Sequence, residues 1–354
     1  MSVSLTNTQP APPLFAPVAH NWKLALLAGL VISILAILAL PAKLSFWVVG
    51  AMLANIAAAF AFNAYRRKYY GGLLVAPAIA VLFVMNLFPL LWSLGLSFFA
   101  YNSNNQSIRF VGLNNYIKVL TNDIAAPANW DALINTGMFV VFTVALQMIM
   151  GFLLAMLFAK QFPLRKYLLI LVLTPMMLSV VASGVFFSYY YDPTFGILSY
   201  AMGEITGNQF ILMDNKVGAV AGIVFTDAWM WAPFVMLLVL AGLVSVPKYL
   251  YEAAAIDRVS KVRQFWTITF PYIRGLLMLA LLFRTIEAFK LYDLVYILIR
   301  GGQDTKTIAY LITEIANEQN KTSEGAALSY VILFMVIVLT NLYLYLANRR
   351  NQGV

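Results

Sequence analysis

Long apolar stretches separated by short polar ones run along almost the whole chain. A helix that crosses a bilayer needs about 20 apolar residues, with a range of about 17–25. Eight stretches have this length, and we predict a membrane-spanning helix in each of them: 24–40, 44–64, 73–100, 135–159, 167–190, 217–244, 276–299 and 325–347. The pattern therefore predicts an all-α integral membrane protein with eight transmembrane helices.

The first two stretches are predicted to form a transmembrane hairpin over 24–65 that turns at Pro41-Ala42-Lys43. Residues 1–22 contain no Lys or Arg, whereas a signal peptide begins with a basic region. We therefore interpret residues 1–23 as a tail that precedes a true membrane span.

The Lys and Arg residues predict the orientation, because cytoplasmic loops carry an excess of them. Eight spans place both termini on one side, and that side holds fourteen of the basic residues. The other side holds seven, and Arg284 and Lys290 fall inside a span. Both termini are predicted to be cytoplasmic.

Composition agrees with a membrane protein and argues against several kinds of catalytic or metal site. The chain is 62% hydrophobic and 10% charged, against about 25% charged residues in soluble domains. Its net charge of +9 is interpreted as basic cytoplasmic loops, and no nucleic acid is predicted as a partner. The absence of cysteine, of a phosphate-binding G-x-x-x-x-G-K-[ST] loop and of an H-E-x-x-H motif argues against an enzyme and against a bound metal or cofactor.

One charged segment, 249–275, interrupts the apolar pattern between two predicted spans. It contains Glu252, Asp257, Arg258, Lys261 and Arg263, and it begins with helix-forming residues. The segment falls on the cytoplasmic side. Its pattern fits a plain connector as well as a surface that lies against another protein.

Four charged residues occur within the predicted span 276–299. Arg284, Glu287, Lys290 and Asp293 alternate in sign at intervals of three, a spacing at which side chains touch on a helix. An ionised residue near the middle of a bilayer costs about 2.5–3.5 kcal/mol on insertion scales, so these residues should face protein or a water-filled path. They form either an ion-pair ladder between helices or a surface that contacts a solute.

The span 217–244 contains Asp227 beside Trp229 and Trp231. Aromatic faces suit the C–H faces of sugars and a carboxylate suits their hydroxyl groups, although tryptophans also form interfacial belts. Tyr189, Tyr190 and Tyr191 are interpreted as such a belt. The residues that we take as candidates for lining a solute pathway across the membrane are Asp227, Trp229, Trp231, Arg284, Glu287, Lys290, Tyr292 and Asp293.

The charged segment also carries a spaced motif. Glu252-Ala253-Ala254 is followed at the matching distances by Ile268 and Pro271. This resembles the E-A-A, three residues, G, nine residues, I-x-L-P loop of permease subunits in bacterial ABC importers, with Arg258 in place of Gly. The resemblance implies two short helices that dock on an ATPase. Since Arg adopts positive φ less readily than Gly, the turn is expected to shift or to be less sharp.

Further motifs follow in the same order as in carbohydrate permeases of the maltose type, from about residue 70 to the C-terminus. They are Gly112-Leu113-Asn114-Asn115-Tyr116, Asn135-Thr136, Trp229-Met230-Trp231-Ala232-Pro233-Phe234, Phe289-Lys290-Leu291-Tyr292-Asp293, and Gly301-Gly302-Gln303 with Thr307.

The resemblance implies a six-helix type I ABC importer permease core over 66–354, with an ATPase-coupling loop at 245–275, in a bacterial inner membrane. It implies four kinds of partner: a second homologous permease, two ATP-binding subunits that use ATP and Mg, an extracytoplasmic solute-binding protein, and a sugar, oligosaccharide, polyol or related glycoside as substrate. The implied coupling residues are Glu252, Ala253, Ala254, Asp257, Arg258, Ile268 and Pro271.

Two other classes stay open on the residues alone. The charges in 276–299 fit an ion- or proton-coupled secondary transporter, which would not need the Glu-Ala-Ala loop. An intramembrane enzyme would need a positioned acid or base that faces a lipid substrate.

Overall fold

The computed structural model describes residue 75 and residues 78–102, 107–121, 128–208 and 210–351. The predicted tail and hairpin of residues 1–65 lie outside this part. Two compact units are present, one up to Ser93 and the other from Leu94 onward; the site described below lies in the second.

Helices form nearly all of the described chain. They are α1 (Ala78–Ser97), α2 (Asn114–Leu120), α3 (Ala128–Phe158), α4 (Arg165–Met177), α5 (Val180–Tyr190), α6 (Ile197–Thr206), α7 (Lys216–Ser245), α8 (Lys248–Ile256), α9 (Lys261–Ala288), α10 (Asp293–Ile299), α11 (Ile308–Thr313) and α12 (Thr322–Asn351). A short 3₁₀ turn covers Leu212–Asp214. Strands β1 (Phe99–Tyr101) and β2 (Ile108–Phe110) pair antiparallel, with Ala100 opposite Arg109.

Five helices in the described residues are long and apolar enough to cross a membrane: α1, α3, α7, α9 and α12. The count is six if α4 and α5 are one span, which is bent by 100°. The residues predicted as the span 167–190 therefore form two helices rather than one continuous helix. Pro175 lies inside α4 and cannot donate a helical hydrogen bond, and the Ser179 side chain starts α5 by accepting from the Ala182 N–H at 3.1 Å.

The span predicted at 276–299 is also wrong at both ends. The helix begins at Lys261 and ends at Ala288, and residues 289–292 separate it from α10. The break is stabilised by the Thr307 hydroxyl, which donates to the Leu291 carbonyl at 2.6 Å. Hydropathy placed the span too late because the first turns of α9 are charged.

A π-helical turn precedes a proline in both α1 and α9. The turns cover Phe83–Leu87 and Phe265–Thr269. Pro89 follows the first turn and Pro271 follows the second, at the same distance in both helices. Proline has no N–H and its ring crowds the carbonyl four residues earlier. The wider π turn accommodates both effects, so α9 continues from the charged segment into the bundle.

Helix α7 lies at the centre of the second unit and is the most buried of the five long helices. Its partners α3 and α9 pack along it, with Ala155, Val239 and Ile273 in one apolar cluster. Gly151 allows the close approach of α3, because a Cβ there would lie 2.5 Å from the Val235 Cβ. These three helices carry the polar side chains of the candidate site.

Candidate coupling loop and buried polar network

The segment between α7 and α9 folds as helix α8 followed by a tight turn. Arg258 has φ +50°, the left-handed conformation that glycine adopts most readily. The Val259 N–H donates to the Ala254 carbonyl at 2.9 Å and the Arg258 N–H to the Ala255 carbonyl at 3.2 Å, which is the Schellman pattern of a helix end. The turn thus lies at Arg258 itself, and the expected shift is not seen.

The second half of the segment is the beginning of α9 rather than a separate short helix. The Ser260 hydroxyl accepts from the Arg263 N–H at 3.4 Å and caps the helix that starts at Lys261. Ile268 lies in the π turn, and Pro271 follows it without ending the helix. Residues 261–275 of the predicted loop 245–275 are therefore helical and continuous with the rest of α9.

The exposed surface of α8 combines acidic and apolar side chains. Glu252, Ala253 and Asp257 are exposed, whereas Ala254 is buried. Ile256 is 82% exposed. The Tyr251 hydroxyl lies 3.0 Å from the Thr269 hydroxyl and fixes α8 against α9.

Three polar side chains meet between α3, α7 and α9. Gln147 donates from Nε2 to Asp227 Oδ2 at 2.6 Å, and Arg284 donates from Nε to Gln147 Oε1 at 2.8 Å. Arg284 Nη2 lies 3.7 Å from Asp227 Oδ2. All three residues are buried, at 0%, 5% and 3% exposure for Gln147, Asp227 and Arg284. Burial of a charge is tolerated when it is paired and hydrogen-bonded, and this network satisfies both charges.

Trp231 lies against the same network. The Arg284 guanidinium carbon is 4.4 Å from the centroid of the Trp231 ring, a cation–π geometry. Trp231 is half-buried. Trp231 is therefore a partly accessible neighbour of a buried network.

Comparison with known proteins identifies the family. A family model described as the binding-protein-dependent transport system inner membrane component matches residues 147–352, more than half of the chain and the whole of α7, α8 and α9. The chain belongs to this family.

Individual relatives of this permease family are similar along most of the chain. The lactose transport permease LacF of Rhizobium radiobacter is 31% identical over 295 residues, 80% of this chain and 97% of that protein. The trehalose/maltose transport permease MalF of Thermococcus litoralis is 29% identical over 282 residues, 80% and 94%. The sulfoquinovosyl glycerol transport permease SmoG of Agrobacterium fabrum is 30% identical over 279 residues, 77% and 88%.

Among solved structures, a chain of a bacterial ABC transporter involved in import of the acidic polysaccharide alginate is similar with a TM-score of 0.70 at 17% identity. The match covers 81% of this chain and 98% of that chain. At this identity the similarity shows the fold, which is that of an ABC importer permease.

The permease fold brings only some of the predicted pathway residues together. Asp227, Trp231 and Arg284 meet in the network. Trp229, two residues from Trp231, instead packs against Phe186 and Phe187 of α5, with ring centroids at 6.3 and 5.1 Å.

The remaining charges of the predicted ladder are separate from the network. Lys290 and Glu287 pair at 3.0 Å and both are exposed. Tyr292 stacks on Tyr296, and Asp293 lies in the first turn of α10. A continuous ladder does not form because Arg284 turns toward Asp227 and α9 ends at Ala288. Tyr191 is buried with its hydroxyl 3.2 Å from that of Thr226, so its interpretation as an interfacial belt residue is wrong.

Polar residues of the other motifs hold loops of the permease together. Asn135 Nδ2 donates to the carbonyls of Asp304 and Lys306 at 2.8 and 3.1 Å, and the Thr136 hydroxyl accepts from the Ile308 N–H. Asn115 Nδ2 donates to the carbonyls of Ser97 and Phe99. These motif residues therefore have structural roles.

Sequence reasoning missed Gln147. The available signal was a primary amide in the middle of an otherwise apolar predicted span, which needs a buried partner.

Proposed function

We propose that the chain is the transmembrane permease subunit of an ATP-driven importer for a sugar, oligosaccharide, polyol or related glycoside. The family match supports the permease class. The relatives named for lactose, trehalose/maltose and sulfoquinovosyl glycerol support a carbohydrate substrate. The permease has no catalytic role, and ATP with Mg is used by two separate ATP-binding subunits.

The chain forms half of the pore in the bacterial inner membrane, beside a second homologous permease. A solute-binding protein delivers the substrate from outside. The structure of the alginate transporter in complex with a pentasaccharide-bound periplasmic protein supports this arrangement, since that transporter shares the fold. The chain has eight spans, namely a hairpin at 24–65 after a cytoplasmic tail and six in the core 66–354, and both termini are cytoplasmic.

The observation that carries the proposal is the loop formed by α8 and the Arg258 turn. It exposes Glu252, Asp257 and the apolar Ile256 outside the long helices. An exposed apolar side chain flanked by charges suits a protein-docking surface. We assign ATPase coupling to Glu252, Ala253, Ala254, Asp257, Arg258, Ile268 and Pro271.

The continuity of α9 supports a mechanism for coupling. This one helix begins beside the α8 loop at Lys261 and contains Arg284 near its other end. When ATP binding closes the ATPases, displacement of the loop moves α9 and thus the network around Trp231. The pore changes from inward to outward facing, and the solute passes Asp227, Trp229, Trp231, Arg284, Glu287, Lys290, Tyr292 and Asp293.

Replacement of Glu252 tests the coupling role. Truncating one member of a charged pair buried at an interface costs about 2–5 kcal/mol, so Glu252→Ala should reduce co-purification of the ATPase or uncouple hydrolysis from uptake. The control Glu204→Ala removes an exposed carboxylate from α6 and should behave as wild type. The measurements are ATPase co-purification and sugar uptake in reconstituted vesicles.

The same vesicles separate this function from ion-coupled transport. Uptake should require internal ATP and the partner subunits, and an imposed ion or proton gradient should not replace them. Gradient-driven uptake without ATP would contradict the proposal, and unchanged coupling in Glu252→Ala would make the loop a connector.

A further inference from the structure

Gln147 is the fully buried member of the polar network, at the middle of α3. Its 0% exposure places a primary amide where an unpaired polar group is costly. Both functional atoms of the amide are used, one toward each charged neighbour. A side chain at this position must therefore donate one hydrogen bond and accept another.

The amide makes closer contacts to the two charges than they make with each other. Its bonds to Asp227 and Arg284 measure 2.6 and 2.8 Å, whereas the charged groups approach to 3.7 Å. A primary amide presents an N–H toward a carboxylate and an oxygen toward a guanidinium. Gln147 therefore links the two charges into one neutral group.

The link also determines where the guanidinium lies. Arg284 is bonded through Nε to Gln147, and its guanidinium covers one face of the half-buried Trp231 ring at 4.4 Å. Removal of the Gln147 oxygen would leave that Nε without its acceptor. The orientation of the planar group over Trp231 would then no longer be defined.

We propose that Gln147 is a positioning residue of the translocation pathway, which joins Asp227 and Arg284 into one neutral unit and holds the Arg284 guanidinium over Trp231. The inference rests on the proposed function, in which Trp231 lies on the pathway. In this arrangement the Asp227 carboxylate binds Gln147 and Arg284 rather than the solute.

An isosteric exchange tests this assignment. Gln147→Glu places a second carboxylate beside Asp227, and Asp227→Asn leaves Arg284 without its counter-charge. The double variant Gln147→Glu/Asp227→Asn restores one carboxylate, one amide and one guanidinium: the bond between positions 147 and 227 is reversed, and Arg284 still donates to position 147. We expect each single variant to lose about tenfold or more of uptake, as for a broken buried pair, and the double variant to recover to within about threefold of wild type.

Uptake is measured with radiolabelled lactose, maltose and trehalose in cells in which each variant replaces the natural chain. Gln319→Glu makes the same amide-to-acid change at an exposed position outside the long helices and serves as the matched control. A double variant no better than the single ones would overturn the proposal, because the carboxylate would then be required at position 227 itself.

A spectroscopic measurement on the purified chain separates positioning from a general loss of stability. With 5-fluorotryptophan, the seven tryptophans give fluorine NMR signals, and the loss of a signal in Trp231→Phe or Trp229→Phe assigns each of the two. Gln147→Met, which keeps chain length and packing, should move the Trp231 signal and leave that of Trp229 in place. The exchange variant should return the Trp231 signal toward its wild-type position.

An unmoved Trp231 signal in Gln147→Met would also overturn the proposal. This measurement needs no partner subunit and no substrate. If wild-type cells import none of the three sugars, the choice of sugars or the proposed function fails, and the fluorine signals still decide the role of Gln147.

Discussion

Arg258 has the backbone conformation of a helix-ending glycine although it carries a long side chain. A non-glycine residue in the left-handed region costs about 1–2 kcal/mol, and here two hydrogen bonds of the Schellman turn hold it in place. The strain lies at the junction of α8 and α9, in the loop that we assign to ATPase coupling.

Arg258→Gly should relieve this strain and stabilise the turn by about 1 kcal/mol. Amide hydrogen exchange of residues 254–259 in the purified chain should then slow about fivefold. The matched variant Arg263→Gly places glycine inside α9, where it should destabilise the helix by about 1 kcal/mol and speed exchange. Faster exchange in Arg258→Gly would mean that the arginine side chain itself stabilises the turn.

At the scale of elements, the packing of α3 on α7 depends on a residue without a side chain. A Cβ at Gly151 would meet the Val235 Cβ at 2.5 Å and the Ala232 carbonyl oxygen at 2.7 Å. Gly151 lies one turn after Gln147 on the same helix. Close approach at this point therefore also brings Gln147 within reach of Asp227.

Gly151→Ala should destabilise the purified subunit by about 1–3 kcal/mol, because overpacking forces the two helices apart. Gly137→Ala, on the same helix, places its Cβ in open space and should stabilise by about 0.5–1 kcal/mol through helix propensity. Thermal unfolding in detergent compares the two. Equal unfolding temperatures for the two variants would show that α3 and α7 move apart at no cost in stability, and would contradict this prediction.

At the scale of the whole molecule, we expect the role of residues 1–65 to differ from that of the core that the family model matches. The family model begins at residue 147, and the relatives align with 77–80% of the chain. We propose that the hairpin at 24–65 supports assembly in the membrane and contributes no pathway residue.

Removal of residues 1–65 should therefore reduce the amount of assembled importer more than its activity per assembled complex. The measurements are co-purification with the partner subunits and ATP-dependent uptake normalised to the amount assembled. A truncated subunit that assembles normally and transports nothing would place the hairpin in the pathway.

The sequence by itself determined the membrane class, the helical fold and the position of the Glu-Ala-Ala motif. Apolar length is a local property, so the long helices α3, α7 and α12 lie close to their predicted positions. The spacing from Glu252 to Pro271 is likewise local, and it located the helix α8, although the turn that we expected to shift lies at Arg258 itself. Hydropathy missed the true start of α9, because its first turn carries Lys261 and Arg263 and gives no apolar signal.

Only the tertiary structure decided which polar side chains meet. Gln147 lies 80 residues from Asp227 and 137 from Arg284 in sequence, and their contact depends on how α3, α7 and α9 are rotated and packed. The spacing of three between Arg284 and Glu287 indicated a ladder on one helix, yet burial turned Arg284 toward α7. Trp229 and Trp231 are chemically equivalent neighbours in the sequence, and packing alone assigns one to an aromatic cluster and the other to the buried charges.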